Sequence, residues 1–372
     1  MPRGRASCCS GIVMGPALWL FCCGWFLSSP GAGASPPGWM VKLRLGDRTI
    51  EGAPLAWDAN RVHLLGRDGR LWEFSPREAA EYRRTSNRFR SYSVSQLRAM
   101  LLGELGTGYE VTGTSHYLVA HPRGQRDRWA NRFEQLYRSF HQYFSVRGFR
   151  LHDPPFPLIG LVCADREQFQ RYAAMRQGMA GPGVLGYYSV RSNRIVLYDQ
   201  TAGPFPTGSW ADSAATVIHE ATHQTAFNTG IHSRYALPPT WVAEGLATLF
   251  EAPGVYDCRY HRHRSDRINR GRLQDFLGRV RPAHNPDLLR ALVCSDRLFR
   301  VDPAVAYAEA WALTFFLVET RPSDYADYLS RTAARPPFRP YPSDERLADF
   351  EAVFGSDWRM LEARLLRFLD GV

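Results

Sequence analysis

Apolar and polar residues alternate in three short runs near the start of the chain, MVKLRLG (40–46), RVHLL (61–65) and RLWEF (70–74). Period-two alternation predicts strands, and Asp68-Gly69 between the last two runs is a hairpin signal. The expectation is a small β module of three or four strands, over 35–85, that packs on the downstream chain. From about Ser86 the texture changes: SVSQLRAMLLGEL predicts a helix and YEVTGTSHYLVAHP a strand. Trp129, Phe133, Leu136, Tyr137, Phe140 and Phe144 recur at helical spacing, so that stripe is read as core. PLIGLVCA is a continuous apolar run, read as a buried strand, and DREQFQRYAAM as a helix with Asp165 at its N-cap. GYYSVRSNRIVLYD (186–199) alternates on either side of a turn-like centre and predicts a hairpin. Two helices follow, DSAATVIHEATHQTAFNTG and TWVAEGLATLFEA, the second starting near Thr240 after Pro238 and Pro239. Beyond residue 255 the chain is arginine-rich and mostly helical, most clearly over 304–320 and 358–369. No internal repeat or low-complexity segment interrupts it.

Composition narrows the class. The 372 residues are 45% hydrophobic and 13% aromatic, enough for a packed core and far from disorder. The formal net charge is +10, but Lys42 is the only lysine. An excess carried almost wholly by arginine reads as a compositional skew, and neither a nucleic-acid surface nor a membrane surface is expected. Residues 1–34 begin with Arg3 and Arg5, run apolar from about Gly11 to Leu27, and end on Ala32-Gly33-Ala34, the plan of a secretory signal peptide. The expected location is periplasmic or secreted; the alternative is a chain anchored by an uncleaved N-terminal segment. Four of the seven cysteines lie in this leader. Of the others, Cys163 suits a buried strand thiol. Cys258 and Cys294 are candidates for a bridge, although spacing alone does not fix connectivity.

The chemistry gathers in ATVIHEATHQTAFNTG (215–230). On a helix, His219 and His223 are four apart and project from one face about one turn apart. Glu220 lies beside them, within reach of a metal-bound water without being a ligand, as the H-E-x-x-H reading requires. Ala214, Ala215, Val217 and Ile218 make the upstream turn apolar, as a helix running through the core would be. A catalytic zinc needs a third protein ligand and an open position. Glu244 is the candidate, a carboxylate among Trp241, Val242, Leu246, Ala247 and Leu249 that would be costly there unless paired or metal-bound. Thr248, one turn on, is placed to hydrogen-bond a ligand, and the small Gly245 and Ala247 are expected to let the two helices approach.

H-E-x-x-H followed by W-x-x-E-G-x-A resembles the gluzincins, the peptidase MA clan of thermolysin-like proteases and zinc aminopeptidases. The fuller HEATHQTAFNTG…LPPTWVAEGLATLFE is similar to a bacterial family catalogued only as a domain of unknown function, number 1570. The resemblance covers about 210–252 closely, 155–200 and 304–320 loosely, and 35–85 not at all. It implies Zn2+ held by His219, His223 and Glu244, with Glu220 as general base. It also implies that the 186–199 hairpin supplies the edge strand along which a peptide lies. Related aminopeptidases use a downstream tyrosine to stabilise the oxyanion; Tyr307 is the candidate here, against the plain reading of an interface tyrosine. A thermolysin-type downstream histidine is not matched.

The run CRYHRHRSDRINRGR (258–272) is read as a solvated loop rather than an anion contact, and His261 and His263 as too sparse for a second metal site. His232 and Arg234, between the two site helices, are either substrate contacts or loop surface. The expected fold is α+β: a signal peptide over 1–34, the small β module over 35–85, and a zincin-like metallopeptidase domain over 86–372. That domain comprises an α/β part (86–210), the zinc-site helices (211–252) and a helical C-terminal part (255–372). The expected activity is zinc-dependent peptide hydrolysis, with a peptide or protein as partner, no nucleic acid, and no stable membrane insertion once the leader is removed. A non-catalytic zinc-stapled envelope protein and a zinc amidase acting on cell-wall material are the alternatives.

Overall fold

Alternation along the first strands becomes an antiparallel sheet of β1 (Met40–Leu45), β2 (Arg48–Trp57), β3 (Val62–Gly66), β4 (Leu71–Phe74) and β5 (Ala79–Ser86), in the order β4-β3-β2-β1-β5. It has five strands where the pattern predicts three or four. β2 is masked in the sequence by Gly52 and Pro54, and the ladder accommodates this proline where its register shifts, between Pro54 and Ala56. β5 is polar along its length because it pairs only with β1, at the sheet edge. The structure, a computed structural model, describes residues 38–372 apart from 178–180, 182 and 203–205. The expected leader over 1–34 lies outside the described residues. Among these no helix is long and apolar enough to cross a membrane.

The next elements are α1 (Val94–Leu105), β6 (Tyr109–Gly113), β7 (Tyr117–Pro122), α2 (Arg126–Ser145), β8 (Leu158–Cys163), α3 (Arg166–Gln177), β9 (Gly186–Ser189) and β10 (Arg194–Tyr198). Their strands form a mixed sheet, β6-β7-β8-β10-β9, in which β7, β8 and β10 are parallel and both outer strands antiparallel. The run 109–122, read as one strand, is a hairpin. Its polar centre turns because Glu134 of α2 accepts bonds from Thr114 Oγ1 (2.8 Å) and from the His116 backbone (3.1 Å). Asp165 caps α3 as expected, accepting from Gln168 N at 2.8 Å.

Both faces of this sheet are buried, which is why β8 reads as an unbroken apolar run. Leu158 and Val162 join the aromatic stripe of α2, while Ile159, Leu161 and Cys163 face α1 and α3. Gly160 is needed on the α2 side, where an added Cβ would stand 3.0 Å from the Phe133 ring. Burial pushes the Cys163 thiol up to about 12. Cys163, Cys258 and Cys294 are all free thiols.

Below the α2 face run α4 (Trp210–Thr229) and α5 (Thr240–Phe250). The chain then continues through α6 (Pro253–Tyr256), α7 (Arg270–Asp275), α8 (Pro286–Cys294), α9 (Arg297–Val301), α10 (Pro303–Thr320), α11 (Pro322–Ala333), α12 (Ser343–Phe354) and α13 (Trp358–Asp370). The expected α+β class, sheets first and a helical C-terminal part after, is the one observed. α10 is buried on nearly every side and is the spine of that part.

A buried ion pair ties the spine to its neighbours. His284 Nε2 lies 2.8 Å from Glu309 of α10, and its Nδ1 3.0 Å from Glu362 of α13. Both ring nitrogens face acceptor-only carboxylates, so the doubly protonated ring fits best. Burial opposes that charge, but the contacts with Glu309 and then Glu362 outweigh it, and the His284 pKa is raised. A raised folded pKa means the stabilisation is complete below the unfolded value and is lost as pH rises through the folded one. Denaturant unfolding should therefore show the stability advantage of wild type over His284→Gln shrinking from mildly acid to alkaline pH. His284→Ala should cost about 3 kcal/mol or more at mildly acid pH, since it strands the buried Glu309 carboxylate. An advantage that grows with pH would refute the assignment.

Candidate metal centre

α4 begins at a capping box, Ser209 Oγ accepting from Asp212 N (3.3 Å) while Asp212 Oδ2 accepts from Ser209 N (2.7 Å). It stops at Gly230, whose φ of +96° suits glycine. Between these ends most of the helix is buried, and its polar residues are bonded to the sheet. Gln224 Nε2 donates to the Asn193 carbonyl (2.7 Å) and the Ile159 carbonyl (3.2 Å). The Asn193 and Asn228 side chains exchange bonds of 3.0 and 2.8 Å. These contacts fix the rotation of α4 beneath β8 and the β9–β10 hairpin, and with it the direction of His219 and His223.

The two rings meet at Nε2 to Nε2, 3.2 Å apart. Glu244 Oε2 of α5 lies 3.3 Å from His219 Nε2 and 3.4 Å from His223 Nε2. α5 is delivered there by Pro239 at its N-cap and by Asp296, which accepts from Thr240 N at 3.0 Å. Gly245 follows Glu244 and is pressed against α10, not α4: an added Cβ would stand 2.1 Å from Thr314 Oγ1 and 2.7 Å from the Ala310 carbonyl. The expectation that Gly245 serves contact with the first helix is thus corrected. So is the expectation for Thr248, whose hydroxyl donates to the Glu244 carbonyl (2.7 Å) rather than to a ligating side chain.

The carboxylate that supports a ring is Glu251, which the sequence reading missed. Its Oε1 lies 2.8 Å from His219 Nδ1, and its Oε2 accepts from Asn269 Nδ2 at 2.6 Å. Because a carboxylate only accepts, the Nδ1 proton points at Glu251 and Nε2 faces Glu244 and His223. Glu251 lies two turns beyond Glu244 on the same helix face, a spacing that was available in the sequence. Asn269 belongs to the arginine-rich run, so that run is not simply solvated.

Charge in this cluster is strongly coupled. Burial alone would protonate Glu244, but His223 and then His219 hold its carboxyl far below the usual range. Burial opposes the His219 cation, yet Glu244 and Glu251 raise its pKa well above the ordinary value. Glu220 is buried beside them, its pKa raised chiefly by burial, against the opposing pull of the two histidines and of the nearby Tyr188 backbone of β9. Tyr307 of α10 lies near Glu244 and Glu220. Burial, then Glu244 and Glu220, push its pKa up, while Arg272 lies 5.1 Å over its ring. His232 and Arg234 are not loop surface; both are buried. Burial takes the His232 pKa down to about 3. Arg234 is spent on the carbonyls of Gly69 (2.7 Å) and Val190 (2.6 Å).

The donors fit a tetrahedral cation. Nitrogen and oxygen ligands at about 2.0–2.1 Å from one zinc stand roughly 3.3–3.4 Å apart, and the three separations here are 3.2, 3.3 and 3.4 Å. Glu244 Oε2 is shut off from solvent and makes no hydrogen bond; its nearest partners are the two imidazole Nε2 atoms, so the lone pairs of all three donors face one point. Among the described residues this trio is the one His/Cys/Asp/Glu group able to hold a metal ion. His261 and His263 form no such group.

Residues 213–339 match the model of a family described as "Protein of unknown function (DUF1570)", in agreement with the resemblance drawn from the motif. No curated protein matches the chain. Among solved structures, the chain is similar to an M1 zinc metallopeptidase from Deinococcus radiodurans at 14% identity and a TM-score of 0.37, over 69% of this chain and 50% of that one. A mutant of that enzyme bound to a Tyr-Ser-Ala substrate gives 13% identity and a TM-score of 0.39, over 69% and 51%. This chain thus spans about half the length of those enzymes.

The crowding at Gly245 yields a direct check. Gly245→Ala should destabilise the protein by about 1–3 kcal/mol through overpacking against α10, measured by denaturant unfolding. An unchanged midpoint would contradict the described contact.

Proposed function

We propose that the protein is a zinc-dependent peptidase. The observation that carries this reading is the pairing of a three-donor cluster with a buried carboxylate, Glu220, that is adjacent to it and outside it. His219, His223 and Glu244 hold the zinc. When bound, the metal supplies Lewis acidity toward water and toward a carbonyl oxygen. Glu220 takes the proton of the attacking water and passes it to the leaving amine. Glu251, itself held by Asn269, keeps His219 in the tautomer that offers Nε2 to the metal. The Tyr307 hydroxyl donates to the oxygen on which negative charge develops.

β9 is an outer strand of the mixed sheet and packs against α4, the helix that carries Glu220, so a peptide is taken to lie along it as an added strand. A purely structural zinc has no use for a base and a hydroxyl at its rim, which favours catalysis over a staple. The signal-peptide pattern over 1–34 supports a periplasmic or secreted location.

Metal analysis together with cleavage of a quenched peptide library tests the base and the ligands. Glu220→Gln should keep stoichiometric zinc and lose about 10²–10⁴-fold in kcat/KM. His223→Ala should lose the zinc. Full activity in the first variant or full zinc in the second overturns the respective role. Tyr307→Phe separates the oxyanion donor from an interface tyrosine: a fall of about 10²–10³-fold in kcat with zinc retained supports the donor, and unchanged kcat removes it.

A further inference from the structure

β9 has two faces. Tyr188 packs on the α4 side, its ring 5.8 Å from Phe227 of the helix that carries Glu220. Tyr187 points to the opposite side, into the cluster that contains Phe169 and Tyr172 of α3. On that opposite side a cavity of about 280 Å³ opens, bounded by Tyr187, Ser189, Arg191 and Arg194 of the hairpin and by Asp68 and Arg70 of the β3–β4 turn. Among the described residues that line it, Asp68 is the one side chain that only accepts hydrogen bonds; the other polar ones carry N–H or O–H groups. Arg194 is matched by Glu104 through bonds of 3.0 and 2.8 Å. With Asp68 set against Arg70, Arg191 leaves the balance positive. Arg191 is exposed at the turn.

The walls are fixed. Leu71 N of β4 donates to the Arg191 carbonyl at 2.7 Å, and the buried Arg234 guanidinium bonds both the Gly69 and Val190 carbonyls. Successive strand residues rise about 3.3 Å, so Ser189 and Arg191 lie within a few residues of the point where β9 meets Glu220. Side chains of a strand added to β9 would alternate between the catalytic face and this cavity.

We propose that the cavity is a subsite for a carboxylate of the peptide substrate, either an acidic side chain or the C-terminal carboxylate, close to the cleaved bond. The proposal rests on the peptidase reading for the alignment of the peptide. Four peptides of equal length separate the sources: glutamate or glutamine near the cleaved bond, each with a free or an amidated C-terminus. Their binding to the Glu220→Gln protein is measured by calorimetry and their cleavage by the wild type as kcat/KM. The expected result is a preference of about ten-fold for one carboxylate over its neutral counterpart. Arg191→Gln should erase it and Arg191→Glu invert it, both with unchanged zinc content and unchanged cleavage of the neutral peptide. The member pair that carries the preference identifies the source. Equal binding of all four peptides, or a preference that survives Arg191→Glu, overturns the proposal. Absence of cleavage by the wild type would instead remove the peptidase reading, while the binding arm still decides the subsite.

Discussion

Two imidazole nitrogens and a carboxylate oxygen converge to 3.2 to 3.4 Å from one another, the oxygen shut off from solvent, and the rest of the structure depends on holding them there. Glu244 Oε2 gives up hydration without gaining a hydrogen bond. The surrounding structure has to enforce the meeting. α4 is held in rotation by buried amides on the sheet, and α5 is held in depth by a glycine against α10. Loosening either helix would let the donors drift apart and recover solvent. The rigidity of the site is therefore built from neutral packing and amide bonds, while the charge sits at the centre.

The segment after α5 contributes through three different side chains. Asn269 orients Glu251, and Arg272 lies over the Tyr307 ring. Arg267 pairs with Glu319 at 2.7 Å and anchors the loop to the far end of α10. A stretch whose composition suggests a solvated charge run is thus the strap that joins the His219 support to the Tyr307 support. Charge density in a sequence describes residues one at a time; which of them turn inward depends on what the fold places beneath them.

Legibility in the sequence followed the range of the interaction. The motif helix, the Glu244 helix, the α2 stripe and the 186–199 hairpin are local patterns, and each appears where periodicity placed it. β2 and β5 were not legible: one carries a proline accommodated at a register shift, the other is polar because its only neighbour is β1. The helix partner of Gly245 was misjudged because a small residue announces a close approach but not what approaches. Thr248 followed the usual alternative for a helical threonine, bonding back to the preceding turn. Glu251 was readable from its seven-residue spacing to Glu244, yet its use depends on Asn269, which only the tertiary fold supplies. The roles of His232 and Arg234 depended on burial, which a loop sequence rich in polar residues conceals.

Arg234 joins the β3–β4 turn of the N-terminal sheet to the turn that follows β9 through carbonyl oxygens alone. Every amino acid presents that oxygen, so the bonds themselves place no demand on side-chain identity; at Gly69 the demand comes from elsewhere, from its φ of +82° and from the Phe156 ring 2.8 Å from where a Cβ would stand. At Val190, by contrast, the tie is written in the main chain alone, where a comparison of side chains has nothing to read.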